Sequence, residues 1–500
     1  MAHALLVAGT TSDAGKSLVT AALCRAFHRR GIAVAPFKAQ NMSNNSMVVG
    51  SVSNGSSAGE IGRAQWVQAL AAGVMPETAM NPVLLKPGSD HRSHVVVNGQ
   101  PSGTISSEEF IGGRTHLAEA AFAAFDDLAT RFEVILCEGA GSPAEINLRA
   151  GDYTNMGLAR HADIPVVVVG DIDRGGVFAS LFGTVALLEA HDQRLISGFV
   201  INKFRGNGDL LEPGVRRLTE LTGRPTYGVL PWSPDVWLDS EDALDLATRV
   251  EPGLGRRRRR PLAVGVIRLP RISNFTDIDA LSLEPGVEVS WISDPGAVAG
   301  VDLVVLPGTR ATIADLSWLR FRGLDRAIVA HASAGRPVLG ICGGFQMLGR
   351  RIHDPAGVEG PSMVDVYGLA LLDATTTFAE DKVLRAHDDG AYEIHHGRVD
   401  VGHADDMGGW ISSGAVMGTM RHGALESDET RAALLDLVAA AVGQTWQPST
   451  ISFASAREER LNLLGDLAEE HLDVDALLEL ARTGAPEVPL LAPGAEAQRA

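Results

Sequence analysis

The 500-residue chain carries 43 Lys and Arg against 61 Asp and Glu, a formal net charge of −18 at pH 7, with 45% hydrophobic and 21% charged residues. That length exceeds what a single hydrophobic core fills, so at least two folded units are expected, and the composition excludes the disordered and fibrous classes. The acidic balance argues against a nucleic-acid backbone as main partner, and the longest apolar runs are too short to span a bilayer.

These features predict a cytoplasmic protein with no nucleic-acid and no membrane partner; they leave its oligomeric state open. The three cysteines, Cys24, Cys137 and Cys342, cannot build a disulfide framework and lack metal-ligand spacing, so one of them is a candidate catalyst.

Short β-branched apolar runs alternate with Ala/Leu-rich helical stretches: ALLVAG, a helix from Lys16, IAVAPFK, FEVILCEG, IPVVVVGDID, a helix near Val177, ISGFVINKF and TYGVLPW. The alternation predicts a parallel α/β unit over residues 1–235. Residues 236–260 are polar, end in the run Arg256 to Arg260, and predict a solvated linker. The pattern restarts with PLAVGVIRLP, VEVSWI and VDLVVLPG, then a helix through Leu316 to His331 and RPVLGICGGFQMLG, predicting a second α/β unit over 261–445. Residues 446–500 predict a helical segment followed by a frayed Pro/Gly/Ala-rich tail.

Between the first strand and the first helix stands GTTSDAGKS, Gly9 to Ser17. Thr10 occupies the place of the first glycine in the usual G-x-x-x-x-G-K-[ST] spacing. Gly15, Lys16 and Ser17 still open a helix, where backbone N–H groups converge, Lys16 neutralises phosphate charge and Ser17 reaches Mg²⁺. The stretch therefore predicts nucleotide binding. Asp13, inside the loop, is either close to the metal or an exposed turn residue. Glu138 sits at the C-terminal edge of a strand, where α/β sheets place ligands. Gln40, Asn41, Ser43 and Asn45 follow the second strand and predict a neutral hydrogen-bonding loop for substrate amides and carboxylates, a merely solvated loop being the alternative.

Cys342 lies between an apolar strand and a helix, followed by two glycines. Such a sharp turn exposes the side chain, leaves the Gly343 N–H free as an oxyanion donor and favours thiolate at a helix N-terminus, which predicts a nucleophile. The segment His395 to Gly397 is read as structural or as a contact between the units, outside the catalytic set.

With five residues between Gly9 and Gly15, the loop resembles the deviant P-loop of the dethiobiotin synthetase and partition-ATPase group. That resemblance implies Glu138 as a metal ligand beside Ser17, and Asn202 on the adenine edge of ATP. GICGGFQMLG resembles the nucleophile turn of class I glutamine amidotransferases, and GTMRHGALESD resembles their histidine segment. His422 is then the base for Cys342, and Gly308 helps to form the oxyanion and glutamine site. In the common branch a Glu follows two residues after this histidine; Ala424 stands there, so the third triad member is unassigned, with Glu426 considered as an orienter.

Across roughly residues 1–480, PFKAQNMSNNS, NPVLLKPGSDHRSHVVVNG, EGAGSPAEINLRAGDYTNMGLAR, GDIDRGGVFASLFGT, GFVINKFRGNGDLLEPG, GVLPW, LPGTRATIADL, GICGGFQMLG and YEIHHGR resemble, in order, the cobyric acid synthase family. The resemblance implies an N-terminal P-loop, dethiobiotin-synthetase-like parallel-sheet domain and a C-terminal class I glutamine amidotransferase-like α/β domain. It implies ATP- and glutamine-dependent amidation, with Mg²⁺, of the b, d, e and g carboxylates of adenosylcobyrinic acid a,c-diamide in cobalamin biosynthesis. Two alternatives are cobyrinic acid a,c-diamide synthase, against which KAQNMSNNS argues, and a partition-type switch ATPase, which leaves Cys342 and His422 idle.

Overall fold

The computed structural model describes residues 3–50, 58–88, 92–106, 114–233, 260–360, 363–402, 405–406 and 409–491. The expected linker 236–260 lies outside the described residues apart from Arg260, and the tail beyond 491 lies outside them altogether.

Six strands form a wholly parallel sheet in the order Thr226–Pro231, Ile196–Phe204, Val166–Asp171, His3–Gly9, Val134–Glu138, Val34–Phe37. Apart from the mostly half-buried edge strand Thr226–Pro231, their apolar centres are buried on both faces, as a parallel sheet between helices requires. The first strand in sequence sits centrally, with later strands added on either side of it, and the loop leaving its C-terminal end is Gly9 to Ser17. That is the switch point where open α/β sheets bind ligands.

A second sheet runs Val287–Ile292, Leu262–Ile267, Leu303–Leu306, Val338–Ile341, Val416–Thr419, Trp410–Ser413, Asp405–Asp406. The first five strands are parallel and the last two antiparallel. The helix expected through Leu316 to His331 is two helices, Thr312–Phe321 and Leu324–Ser333. Gly323, in the left-handed region at φ 75°, turns the chain between them.

Smaller, largely antiparallel sheets add to both units, with Gln40–Met42 pairing parallel with Val83–Pro87. Gln40–Met42, Val83–Pro87, Arg92–Val97 and Gln100–Ser106 form one sheet, Ser46–Val49 pairs with Gly59–Gly62, and Ala374–Ala386 pairs with Tyr392–Val401. The hairpin from Ser46 reaches the second unit, where Met47 and Val48 share a small apolar cluster with Tyr392 and Ile394.

The C-terminal helices Phe453–His471 and Val474–Thr483 return to the first unit, where Leu461, Leu464, Leu477 and Leu480 join the core beneath its sheet. The following segment is also tied down: Arg224 donates to the Pro489 carbonyl at 3.0 Å, and the Leu491 N–H donates to Gln193 Oε1 at 2.8 Å. Among the described residues, no helix is long and apolar enough to cross a membrane. Leu477→Ala should destabilise the first unit by about 2–5 kcal/mol, because a fully buried side chain leaves a cavity. Chemical denaturation of the intact chain checks this through the transition of that unit.

Candidate active site

Two reactive centres stand at the C-terminal ends of the parallel strands of the two sheets. In the first, Gly15 adopts φ 97° and the helix Lys16–Arg29 follows it, so the loop turns sharply onto a helix N-terminus. Lys16 Nζ donates to the carbonyls of Thr11 and Ser12 at 2.9 and 3.0 Å, folding over the loop it serves. The Thr10 N–H donates to Val169 O at 2.9 Å, which holds the loop start to the neighbouring strand.

Glu138 is the hub of this centre. Its Oε1 accepts from Ser17 Oγ and from Lys38 Nζ, both at 2.8 Å, and its Oε2 accepts from Gln68 Nε2 at 2.5 Å. Burial opposes its ionisation, but Lys38 and these hydrogen bonds hold it below the usual carboxylate range. Hard oxygen donors, a hydroxyl and a carboxylate, suit Mg²⁺, and the adjacent Gln68 Oε1 is buried without a protein partner. The residues thus fit a metal-nucleotide site. Among the described residues no group of three or more His, Cys, Asp or Glu is arranged to hold a metal by itself.

Asn202 is buried against the loop: its Nδ2 donates to Ala14 O at 3.0 Å, and a Cβ on Gly15 would stand 2.0 Å from that nitrogen. Its amide group is therefore committed to shaping the phosphate loop, a role the adenine-edge expectation did not include. Asp13 is exposed and ion-paired with Arg174 at 2.8 Å. Its partner is itself an exposed guanidinium.

The second centre surrounds Cys342. This residue has φ 50° between the strand Val338–Ile341 and the helix Gly343–Leu348, the strained turn that lifts a nucleophile out of a sheet. Cys24 and Cys137, by contrast, are fully buried in the first unit, and burial pushes both thiols above their ordinary range. Cys342 Sγ faces a pocket shared with His422, Gln346, Glu359, Arg310 and Lys86.

His422 is buried, and its Nδ1 stands 2.7 Å from Asp277 Oδ2, leaving Nε2 for Cys342. The other oxygen, Asp277 Oδ1, accepts from the Gly423 N–H at 2.7 Å. Burial disfavours the imidazolium, but Asp277 and Cys342 outweigh it and raise His422 to about 10. A thiol, an imidazole and an orienting carboxylate make a nucleophile–base–orienter array suited to acyl transfer.

Asp277 is the third member that the sequence left unassigned. It lies 145 residues from His422 in the chain, in a short 3₁₀ turn, so no local spacing announces it. Glu426 does not touch His422; its carboxylate bridges Arg63 at 2.9 Å and Arg457 at 2.7 Å. Gly308 packs against the histidine: a Cβ there would stand 2.8 Å from His422 Cε1. Gly343 opens the helix after the nucleophile, and a Cβ there would stand 2.6 Å from Thr309 Cγ2. His395 and His396, set aside from sequence, line the same pocket; His395 Nε2 stands 2.9 Å from Glu393 and His396 Nδ1 stands 3.1 Å from Ala379 O.

The polar loop after the second strand differs from its expectation. Gln40, Asn41, Ser43 and Asn45 are all buried, at most 5% exposed. Gln40 Oε1 accepts from Arg114 and from Tyr153, each at 2.6 Å, Asn41 donates to Gln65 at 2.8 Å, and Ser43 Oγ accepts from the Asn45 N–H at 3.0 Å. Asn45 Oδ1 accepts from the Phe275 N–H at 3.3 Å, across to the second unit. Strand pairing of Gln40–Met42 with Val83–Pro87 draws the segment inside, so it is no open loop.

A phosphate loop in one unit and a Cys–His–Asp array in the other define a glutamine-dependent amidotransferase with a nucleotide-binding domain. Comparison with known proteins agrees. Residues 5–245 match the CobQ/CobB/MinD/ParA nucleotide binding domain, and residues 263–432 match the CobB/CobQ-like glutamine amidotransferase domain. A cobyric acid synthase of Mycolicibacterium gilvum is 65% identical over 500 residues, 98% of this chain and 99% of that protein. One of Mycobacterium tuberculosis (strain H37Rv) is 62% identical over 503 residues, covering 98% and 99%. The chain belongs to the cobyric acid synthase family.

Asp277→Asn should lower the rate of glutamine hydrolysis by on the order of 10²–10⁴, as loss of an orienting carboxylate does elsewhere. It should also remove a pH dependence of stability. With the folded imidazolium raised from 6.5 to about 10, the pair's contribution is fully present below about pH 6.5 and is lost as pH rises towards 10. Steady-state glutaminase assays and melting temperatures between pH 6 and 10 read the two effects.

Proposed function

We propose that this chain converts the b, d, e and g carboxylates of adenosylcobyrinic acid a,c-diamide to amides, using one ATP and one glutamine for each. The observation that carries the reading is one pocket holding Cys342 and His422 with a wall supplied by Lys86 of the phosphate-loop unit. The corrin acceptor rests on the likeness to cobyric acid synthases along the whole chain.

Lys16 and the N–H groups of the loop neutralise the nucleotide phosphates while the γ-phosphoryl group passes to a corrin carboxylate and ADP leaves. Ser17 and Glu138 would hold Mg²⁺, which would supply further charge neutralisation at the phosphates. The Cys342 thiolate attacks the side-chain carbonyl carbon of glutamine, the C–N bond breaks, and His422 gives the departing nitrogen a proton. The Gly343 N–H and the backbone beside Gly308 stabilise the oxyanion. Water then cleaves the thioester to glutamate, and ammonia displaces phosphate from the activated carboxylate. Asp277 keeps His422 in the orientation this proton transfer needs.

Cys342→Ala should lose glutamine-dependent amidation and retain activity with ammonium salts, whereas Lys16→Ala should lose both. Mass spectrometry of the a,c-diamide incubated with MgATP and glutamine should show successive conversion of four acids to amides. Consumption of unamidated cobyrinic acid instead, with the diamide untouched, would contradict the choice of acceptor.

A further inference from the structure

Every member of the Cys–His–Asp array is braced by one stretch of the other unit. The turn carrying Asp277 begins at Asn274, a left-handed residue at φ 49°. Asn274 Oδ1 accepts from the Ser46 N–H at 2.9 Å, and the next N–H, that of Phe275, donates to Asn45 Oδ1. The turn that follows His422 ends at Glu426, which receives the guanidinium of Arg63, itself only 2% exposed. Arg63 and Asn45 are joined directly, the Arg63 N–H donating to Asn45 O at 3.1 Å.

The third brace is apolar. Tyr392 stacks on His422 with ring centroids 5.4 Å apart, and the two residues exchange backbone hydrogen bonds of 2.9 and 2.8 Å. Tyr392 packs on Met47 and Val48, as does Ile394, whose carbonyl lies 3.9 Å from Cys342 Sγ. Asn45, Ser46, Asn274 and Arg63 are buried, whereas Glu426 is half-buried, and the contacts reach the aspartate, the histidine and the cysteine separately.

Resting on the glutaminase reading of Cys342, His422 and Asp277, we propose that Asn45–Val49 together with Arg63 is a positioning element for that array. The second unit alone does not hold Asp277 and His422 at the spacing glutamine hydrolysis needs; the phosphate-loop unit completes it. Asn274 and Glu426 are the receiving residues. They act through Asp277 and His422 and touch no reacting atom in this account.

Two variants test it in the full-length chain. Asn274→Gly keeps the left-handed backbone and deletes the acceptor for Ser46; Glu426→Gln weakens the grip of Arg63. Each should lower kcat for glutamine hydrolysis roughly 10- to 100-fold with little change in KM, since small misplacements of a catalytic group have costs of that order. The alkaline limb of the pH–rate profile should move to lower pH as Asp277 loosens from His422. ATP-dependent amidation driven by ammonium should stay within about twofold of wild type, which also reports that the chain is folded. A kcat within about twofold of wild type in both variants, or a raised KM at unchanged kcat, would overturn the proposal. Cys342→Ala, run alongside, must abolish hydrolysis; if it did not, the glutaminase reading itself would fall.

Discussion

A charged imidazole and a carboxylate buried together, His422 and Asp277, set the constraint that the second unit is built around. Removing either charge from water is costly unless geometry and additional hydrogen bonds compensate. Here both carboxylate oxygens are used, one by the imidazole and one by the Gly423 N–H. The pair also joins two turns 145 residues apart, so it can form only when the sheet beneath it has assembled. Gly308 follows from the same constraint, because no side chain fits between the ring and the Ser273 carbonyl.

The first unit meets a similar problem with Glu138. A buried carboxylate at the end of a central strand is kept ionised by Lys38 and oriented by Ser17 and Gln68. Both centres therefore place an ionised acid where strands end and helices begin, and let side chains from other segments fix it. What joins them is the stretch from Lys38, which binds Glu138, through the buried Gln40, Asn41, Ser43 and Asn45 to the hairpin braced against Tyr392.

The parallel sheets were legible because their strands are continuous β-branched runs with period-breaking glycines at the ends. Gly15-Lys16-Ser17 and Cys342-Gly343 were legible because their chemistry is local: a turn, a helix start and the reactive side chain lie within a few residues. Asp277 was not legible, since its role comes from a long-range contact and its own neighbourhood, SNFTDIDAL, reads as an ordinary turn. The short strands between 40 and 106 were not legible because polar Gln40, Asn41 and Ser46 interrupt the apolar pattern, their burial being balanced by hydrogen bonds that sequence does not display. Nor does sequence display the contact that the Asn45 side-chain oxygen makes with the Phe275 N–H of the second unit.

The pocket at Cys342 is lined by residues of both units, and in the proposed reaction ammonia released there reaches the activated carboxylate without mixing with bulk solvent. The measurement that tests this most directly is isotopic: glutamine carrying ¹⁵N in its side-chain amide, MgATP and acceptor are combined with an excess of unlabelled ammonium, and the product amides are analysed by mass spectrometry. The account predicts amides that remain enriched in ¹⁵N despite the excess. Dilution of the label to the composition of the bulk ammonium would contradict it.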